Sequence, residues 1–180
     1  MVLRHLPNAL TFIRLLASPF LLWLLLQSRF REALGLVLLG ALTDWFDGFA
    51  ARRLNVSGKI GAVFDPLADK AMLVTLFIAL AIIKLIPAWL LALVIGRDLV
   101  IVTGALLLRA FRHAREFLPS TLGKISTFFQ LVLVLMVLLS ACFPSRIFFL
   151  MQMCALALST FFTAASGLDY VRQGIQMATS

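Results

Sequence analysis

The sequence predicts an all-α integral membrane protein: six transmembrane helices preceded by a short amphipathic N-terminal segment. Three observations carry that class. Apolar residues make up 62% of the 180-residue chain and charged residues only 13%, with a mean hydropathy of +1.05, well beyond an ordinary soluble domain. The apolar residues fall in successive runs, each close to the roughly 20 residues a helix needs to cross the hydrocarbon. The connections between them are short, so nothing is left over for a soluble domain, and residues 1–180 read as one membrane domain.

The elements follow in order. Residues before Pro7 lie along the interface rather than spanning, and Asn8 caps a first helix over Ala9–Leu26. The opening MVLRHLPNALTFIR shows no small-residue cleavage site at the end of a short apolar run, so a retained helix is expected rather than a signal peptide. The next runs place helices at Glu32–Arg53, Ile60–Leu85, Ala88–Arg109, Gly123–Cys142 and Ile147–Gly167. Loops fall at Gln27–Arg31, Leu54–Lys59, the Leu85–Pro87 turn, the basic stretch Ala110–Leu122, and Phe143–Arg146.

Charge orients this bundle. Six spans put both termini on one side, with Arg4, Arg52, Arg53, Lys59, Arg109, Arg112, Arg115, Lys124 and Arg172; the other side holds only Arg29, Arg31, Lys84 and Arg146. By the positive-inside rule the richer face is cytoplasmic. That surplus, part of a net charge of +8, attracts anionic headgroups and polyphosphate substrates. It does not point to nucleic acid, because no soluble domain presents it.

Half of the chain's eight acidic residues, Asp44, Asp47, Asp65 and Asp69, lie within DWFDGFAARRLNVSGKIGAVFDPLAD. An ionised Asp at the centre of a membrane helix costs roughly 2.5–3.5 kcal/mol, so four unpaired would cost on the order of 10 kcal/mol. Arg52, Arg53, Lys59 and Lys70 are near enough to share the neutralisation, but carboxylates this dense are hard oxygen ligands suited to Mg²⁺, Mn²⁺ or Ca²⁺. Asp44 and Asp47 are i,i+3 on one helix and Asp65 and Asp69 i,i+4 on the next, so each pair shares a face. Gly48, Ala51 and Gly61 are small at the same meeting place, which lets the backbones approach. Arg52 is placed to grip phosphate through its two-pronged guanidinium. Pro66 is compatible with a first helical turn or a local kink.

The string Asp44-x2-Asp47-Gly48-x2-Ala51-Arg52-x8-Gly61-x3-Asp65-x3-Asp69 resembles, without departure, the signature of the CDP-alcohol phosphotransferases, and the six-span layout extends the resemblance over essentially the whole chain. The resemblance implies that Asp44, Asp47, Asp65 and Asp69 bind two divalent ions, Mg²⁺ or Mn²⁺, on the pyrophosphate of a CDP-linked donor. It implies that Gly48, Ala51, Arg52 and Gly61 accommodate the CDP moiety, that Asp69 also serves as general base, and that the protein is a homodimer. FDPLADK and PNALTFIR resemble the branch that uses CDP-diacylglycerol, which holds phosphatidylglycerophosphate synthases and cardiolipin synthases. Phosphatidylglycerophosphate synthases usually carry an Arg-Glu pair with a second Arg eight residues after the first; here the pair is Arg97-Asp98, the eighth position is Ala105, and the next arginine is Arg109. With LGKIST and FFTAASGLDY, this is closer to the cardiolipin synthases. Phosphatidylglycerol is therefore the expected acceptor and glycerol 3-phosphate the alternative.

Either acceptor requires cations, and Arg97, Arg109 and Lys124 are the candidates. Arg97, inside a span, is expensive and faces inward, paired with Asp98 or anchoring an acceptor phosphate; the bland alternative for Arg109, Arg112, Arg115 and Lys124 is a snorkelling basic face. Cys142 and Cys154 read as packing residues and His5 and His113 as interfacial ones. Two rival classes use intramembrane carboxylates. An ion or proton transporter has no need of Gly48, Ala51, Arg52 and Gly61 at these intervals, and a prenyl-transferring enzyme carries its Asp clusters on well-separated helices. A purely structural bundle would retain buried charge without gain.

Overall fold

The computed structural model describes residues 17–54, 61–110 and 120–179, with the backbone alone along 44–54, 61–69, 105–110, 175 and 177–179. All regular structure in these residues is helical: α1 Ala17–Leu26, α2 Phe30–Leu54, α3 Gly61–Ile82, α4 Ala88–Ala110, α5 Thr121–Cys142 and α6 Arg146–Thr179. The amphipathic N-terminal segment, the start of the first helix and most of the basic stretch before Ser120 lie outside the described residues. α5 and, over Arg146–Gly174, α6 are long and apolar enough to cross a membrane. The helices group into two compact units, α1–α3 within Met1–Leu85 and α4–α6 within Ile86–Ser180.

In the first unit, α1 and α3 end by the same device. The Ser28 N–H donates to Leu25 O and the Arg29 N–H to Leu24 O; the Lys84 N–H donates to Ala81 O and the Leu85 N–H to Leu80 O. Both pairs are the paired closing bonds of a Schellman motif, with Ser28 (φ 58°) and Lys84 (φ 60°) in the left-handed position usually held by glycine. The third helix therefore stops at Ile82, not at Leu85 as the apolar run suggested. Leu21, Leu24 and Leu25 of α1 and Leu73, Leu76, Phe77 and Leu80 of α3 are buried, each set at helical spacing.

In the second unit, α5 and α6 form an antiparallel hairpin. Ser120 caps α5, its Oγ accepting from the Gly123 N–H at 3.2 Å; Ser145 opens α6 in the same way, accepting from the Phe148 N–H at 3.2 Å. The buried side of α6 is the polar one: Gln152, Ser159, Thr163, Ser166 and Tyr170 are inside, while Ile147, Phe149, Phe161 and Leu168 are exposed. A helix with its polar side in and its apolar side out suits lipid, not water. Gln130 Nε2 donates to Thr163 Oγ1 at 3.1 Å, Ser126 Oγ lies 3.1 Å from Thr163 Oγ1, and the Phe129 and Phe162 rings stack at 4.8 Å.

α6 runs on to Thr179, past the Gly167 end that its apolar run suggested. Gly167 does not break the helix because its role is packing: a methyl group there would stand 3.7 Å from Arg97 Cγ. At 1.5 Å per residue the 34 residues make about 51 Å, against a hydrocarbon core of about 30 Å.

Candidate active site

The acidic segment occupies the second half of α2 and the first turns of α3, and one contact fixes how these helices run. A methyl group at Gly40 would stand 3.9 Å from Met72 Cε, so the helices touch there. Gly40 is about 21 Å along the axis from the end of α2, and Met72 about 17 Å from the start of α3. Were the helices parallel, those ends would lie nearly 40 Å apart, more than the roughly 27 Å that the chain from Leu54 to Gly61 can span. α2 and α3 are antiparallel.

The register follows. Each step forward in α2 from Gly40 then runs against a step back in α3 from Met72, which brings the stretch 44–47 to about the level of the stretch 65–69. Asp44 and Asp47 stand four and seven residues from Gly40, and Asp69 and Asp65 three and seven from Met72, so all four positions continue the faces that already touch. Ala51 lies near the end of α2 and Gly61 at the start of α3, two small residues where helix backbones can close up. The side chains of all eight signature positions lie outside the described residues.

Four carboxylate-bearing positions at two adjacent levels of facing helices make a hard oxygen donor set that fits Mg²⁺ or Mn²⁺. Among the described residues no group of three or more His, Cys, Asp or Glu occurs; the four aspartates are not in that set.

The second unit holds the candidate acceptor cations. Arg97 is buried, its side chain 8% exposed, and its guanidinium is committed to the protein. Nη1 donates to Asp98 Oδ1 at 2.9 Å, Nε and Nη2 donate to Ser166 Oγ at 3.2 Å, and Nη2 donates to Gly123 O at 3.3 Å. The group also lies over the Tyr170 ring at 5.6 Å. Of the two roles open to Arg97 from sequence, the pairing with Asp98 is present. Lys124 is exposed in the first turn of α5, its N–H donating to Ser120 O. A cation at a helix N-terminus opposes the helix dipole by about 0.3–1 kcal/mol. Arg109 lies near the end of α4, and its side chain is outside the described residues.

Sequence reasoning missed Gly123, Ser166 and Tyr170 as partners of Arg97, and Ser120 as a partner of Tyr170. A signal was present: Ser159, Thr163, Ser166 and Tyr170 recur at intervals of four, three and four along an otherwise apolar helix, a polar stripe that a search for apolar periodicity passes over.

α5 and α6 turn polar side chains toward each other and apolar ones outward, the pattern of a membrane protein, and α2 and α3 carry the four aspartate positions. The chain belongs to the CDP-alcohol phosphatidyltransferase family, whose sequence profile matches residues 4–165, through both units. The family is a membrane family and generally metal-dependent. Among its relatives is a CDP-diacylglycerol–glycerol-3-phosphate 3-phosphatidyltransferase of Aquifex aeolicus, 32% identical, with 96% of this chain and 97% of that protein covered. The cardiolipin synthase (CMP-forming) of Rattus norvegicus is also 32% identical, over 95% of this chain and 63% of its own length. The chloroplastic CDP-diacylglycerol–glycerol-3-phosphate 3-phosphatidyltransferase 1 of Oryza sativa is 32% identical over 75% of this chain and 46% of its own length. The chain thus spans from about half to just under two thirds of those last two relatives.

Proposed function

We propose that this chain is a six-span, single-domain phosphatidyltransferase that moves the phosphatidyl group of CDP-diacylglycerol to the hydroxyl of a glycerol-type acceptor, releasing CMP, and that phosphatidylglycerol is the acceptor and cardiolipin the product. The observation that supports the reaction is the approach of α2 and α3 at Gly40 and Met72, the two helices that carry the four aspartates. Asp44, Asp47, Asp65 and Asp69 would hold Mg²⁺ or Mn²⁺, which would supply positive charge for the donor pyrophosphate and the departing CMP. Gly48, Ala51 and Gly61 leave room for the CDP moiety, and Arg52 binds its phosphate. Asp69 takes the proton of the attacking hydroxyl as its oxygen bonds to the phosphatidyl phosphorus and the bond to CMP breaks. Lys124, exposed and set against its helix dipole, meets the acceptor phosphate with Arg109, and Arg97 bonds to the turn that carries Lys124. The protein works as a homodimer with its site facing the cytoplasm.

Ala105 supports phosphatidylglycerol. A small dianion such as glycerol 3-phosphate favours several cations close together, whereas phosphatidylglycerol carries one diester charge and two acyl chains that enter from lipid. Glycerol 3-phosphate is the second reading, favoured by the Aquifex aeolicus relative, whose length this chain nearly matches. The test is CMP release by protein in detergent with CDP-diacylglycerol, Mn²⁺ or Mg²⁺, and each acceptor in turn. Phosphatidylglycerol should give the higher specificity constant; a higher value for glycerol 3-phosphate overturns the acceptor assignment, and no CMP with either overturns the reaction.

A further inference from the structure

The start of α5 is held by one residue of α6. Tyr170 is 5% exposed, and its hydroxyl accepts the Ser120 N–H at 3.0 Å, one of the N-terminal donors that the helix itself leaves without a partner. The same first turn is held from a second side, where Arg97 donates to Gly123 O at 3.3 Å while lying over the Tyr170 ring at 5.6 Å. Gly123 seals the arrangement. A methyl group at that position would stand 2.7 Å from Tyr170 Oη and 2.9 Å from Arg97 Nη2, both closer than a carbon tolerates. Lys124, the next residue, has no such anchor for its side chain, which is exposed; its place is set by its backbone, whose N–H donates to Ser120 O at 3.2 Å.

From this we infer that Tyr170 is a positioning residue for acceptor binding: its hydroxyl fixes Ser120, Ser120 fixes the first turn of α5, and that turn fixes where the Lys124 ammonium meets the acceptor's phosphate. The inference rests on the reading of Lys124 as an acceptor-binding cation. The chemistry recognised is the phosphate common to phosphatidylglycerol and glycerol 3-phosphate, so the effect appears with whichever of the two turns over.

Tyr170→Phe is the informative substitution, because it keeps the ring beneath Arg97 and removes only the oxygen that accepts from Ser120. Its acceptor KM should rise about tenfold, the size of one lost hydrogen bond, with the KM for CDP-diacylglycerol unchanged and kcat little altered. Amide hydrogen exchange should quicken at Ser120 while the middle of α6 keeps its protection. Gly123→Ala, which pushes on the same hydroxyl, should raise the acceptor KM in the same direction. Lys124→Ala separates the two levels of the argument: it should raise the acceptor KM by itself, and adding Tyr170→Phe to it should raise it no further. If Lys124→Ala raises the acceptor KM and Tyr170→Phe does not, the positioning role is wrong and the acceptor reading stands. If Lys124→Ala leaves the acceptor KM unchanged, the acceptor reading fails and the positioning role falls with it. Additive effects of the two substitutions also overturn the inference, because Tyr170 would then act by a route other than Lys124.

Discussion

Arg97 shows how a charge is kept in apolar surroundings. The Arg97 guanidinium is surrounded by a carboxylate, a hydroxyl, a carbonyl and an aromatic face, so its charge is compensated within the protein. In the proposed reading, Asp69 is one of four acidic residues close in sequence, whose like charges call for cations from outside that set. Asp69→Asn keeps the shape of the side chain but removes both the metal-binding charge and the basic oxygen. CMP release should fall at least about a hundredfold, with the protein still eluting as a folded species in detergent. Near-normal turnover in that variant would refute the assignment of Asp69 as base. The inward pairing of Arg97 with Asp98 was legible from sequence, because a charge within a span must find a partner and an adjacent residue offered one. The other partners were not. Ser166, Gly123 and Tyr170 reach Arg97 only once α5 and α6 have folded back on one another.

Among the helices, α5 and α6 are joined by side chains that neither would carry if it stood alone in lipid. Thr163 Oγ1 receives the Gln130 amide and lies within hydrogen-bond distance of Ser126, whereas Thr160 Oγ1 donates to Leu156 O of its own helix at 2.8 Å. Thr163→Val should therefore destabilise the protein by about 0.6–1.7 kcal/mol, the range for hydrogen bonds between membrane helices, and Thr160→Val by much less. Unfolding in mixed micelles measures both, and equal losses would show that the bonds between the helices contribute nothing special. Helix positions were legible from apolar runs, but their ends were not: Ser120 caps α5 at Thr121, ahead of the Gly123 start that the apolar run suggested. Lys84 closes α3 in a backbone conformation that its side chain does not advertise. Gly167 imitates a stop signal, yet it is a seat for Arg97.

For the molecule as a whole, composition and the loop charges predict which way the chain is threaded. With Cys142 and Cys154 replaced, a cysteine at Ser57 should react with an impermeant maleimide only after the cytoplasmic face is opened, and one at Ser145 should react from outside. Reaction of Ser57 in intact cells would reverse the orientation and with it the side from which the nucleotide donor arrives. The signature was legible in full because its residues are close in sequence and their spacing is helical. The approach of the two helices that carry it was not, since it rests on the contact of Gly40 with Met72.

The polar seam between α5 and α6 bears on how firmly the two helices keep their register. Ser126, Gln130, Ser159, Thr163 and Ser166 stretch through several turns of the hairpin, and all five have no exposed surface. A one-residue slip of either helix would part Thr163 from Ser126 and Gln130 and leave polar groups against apolar neighbours. The seam is therefore a latch on alignment, which an all-leucine contact would not supply.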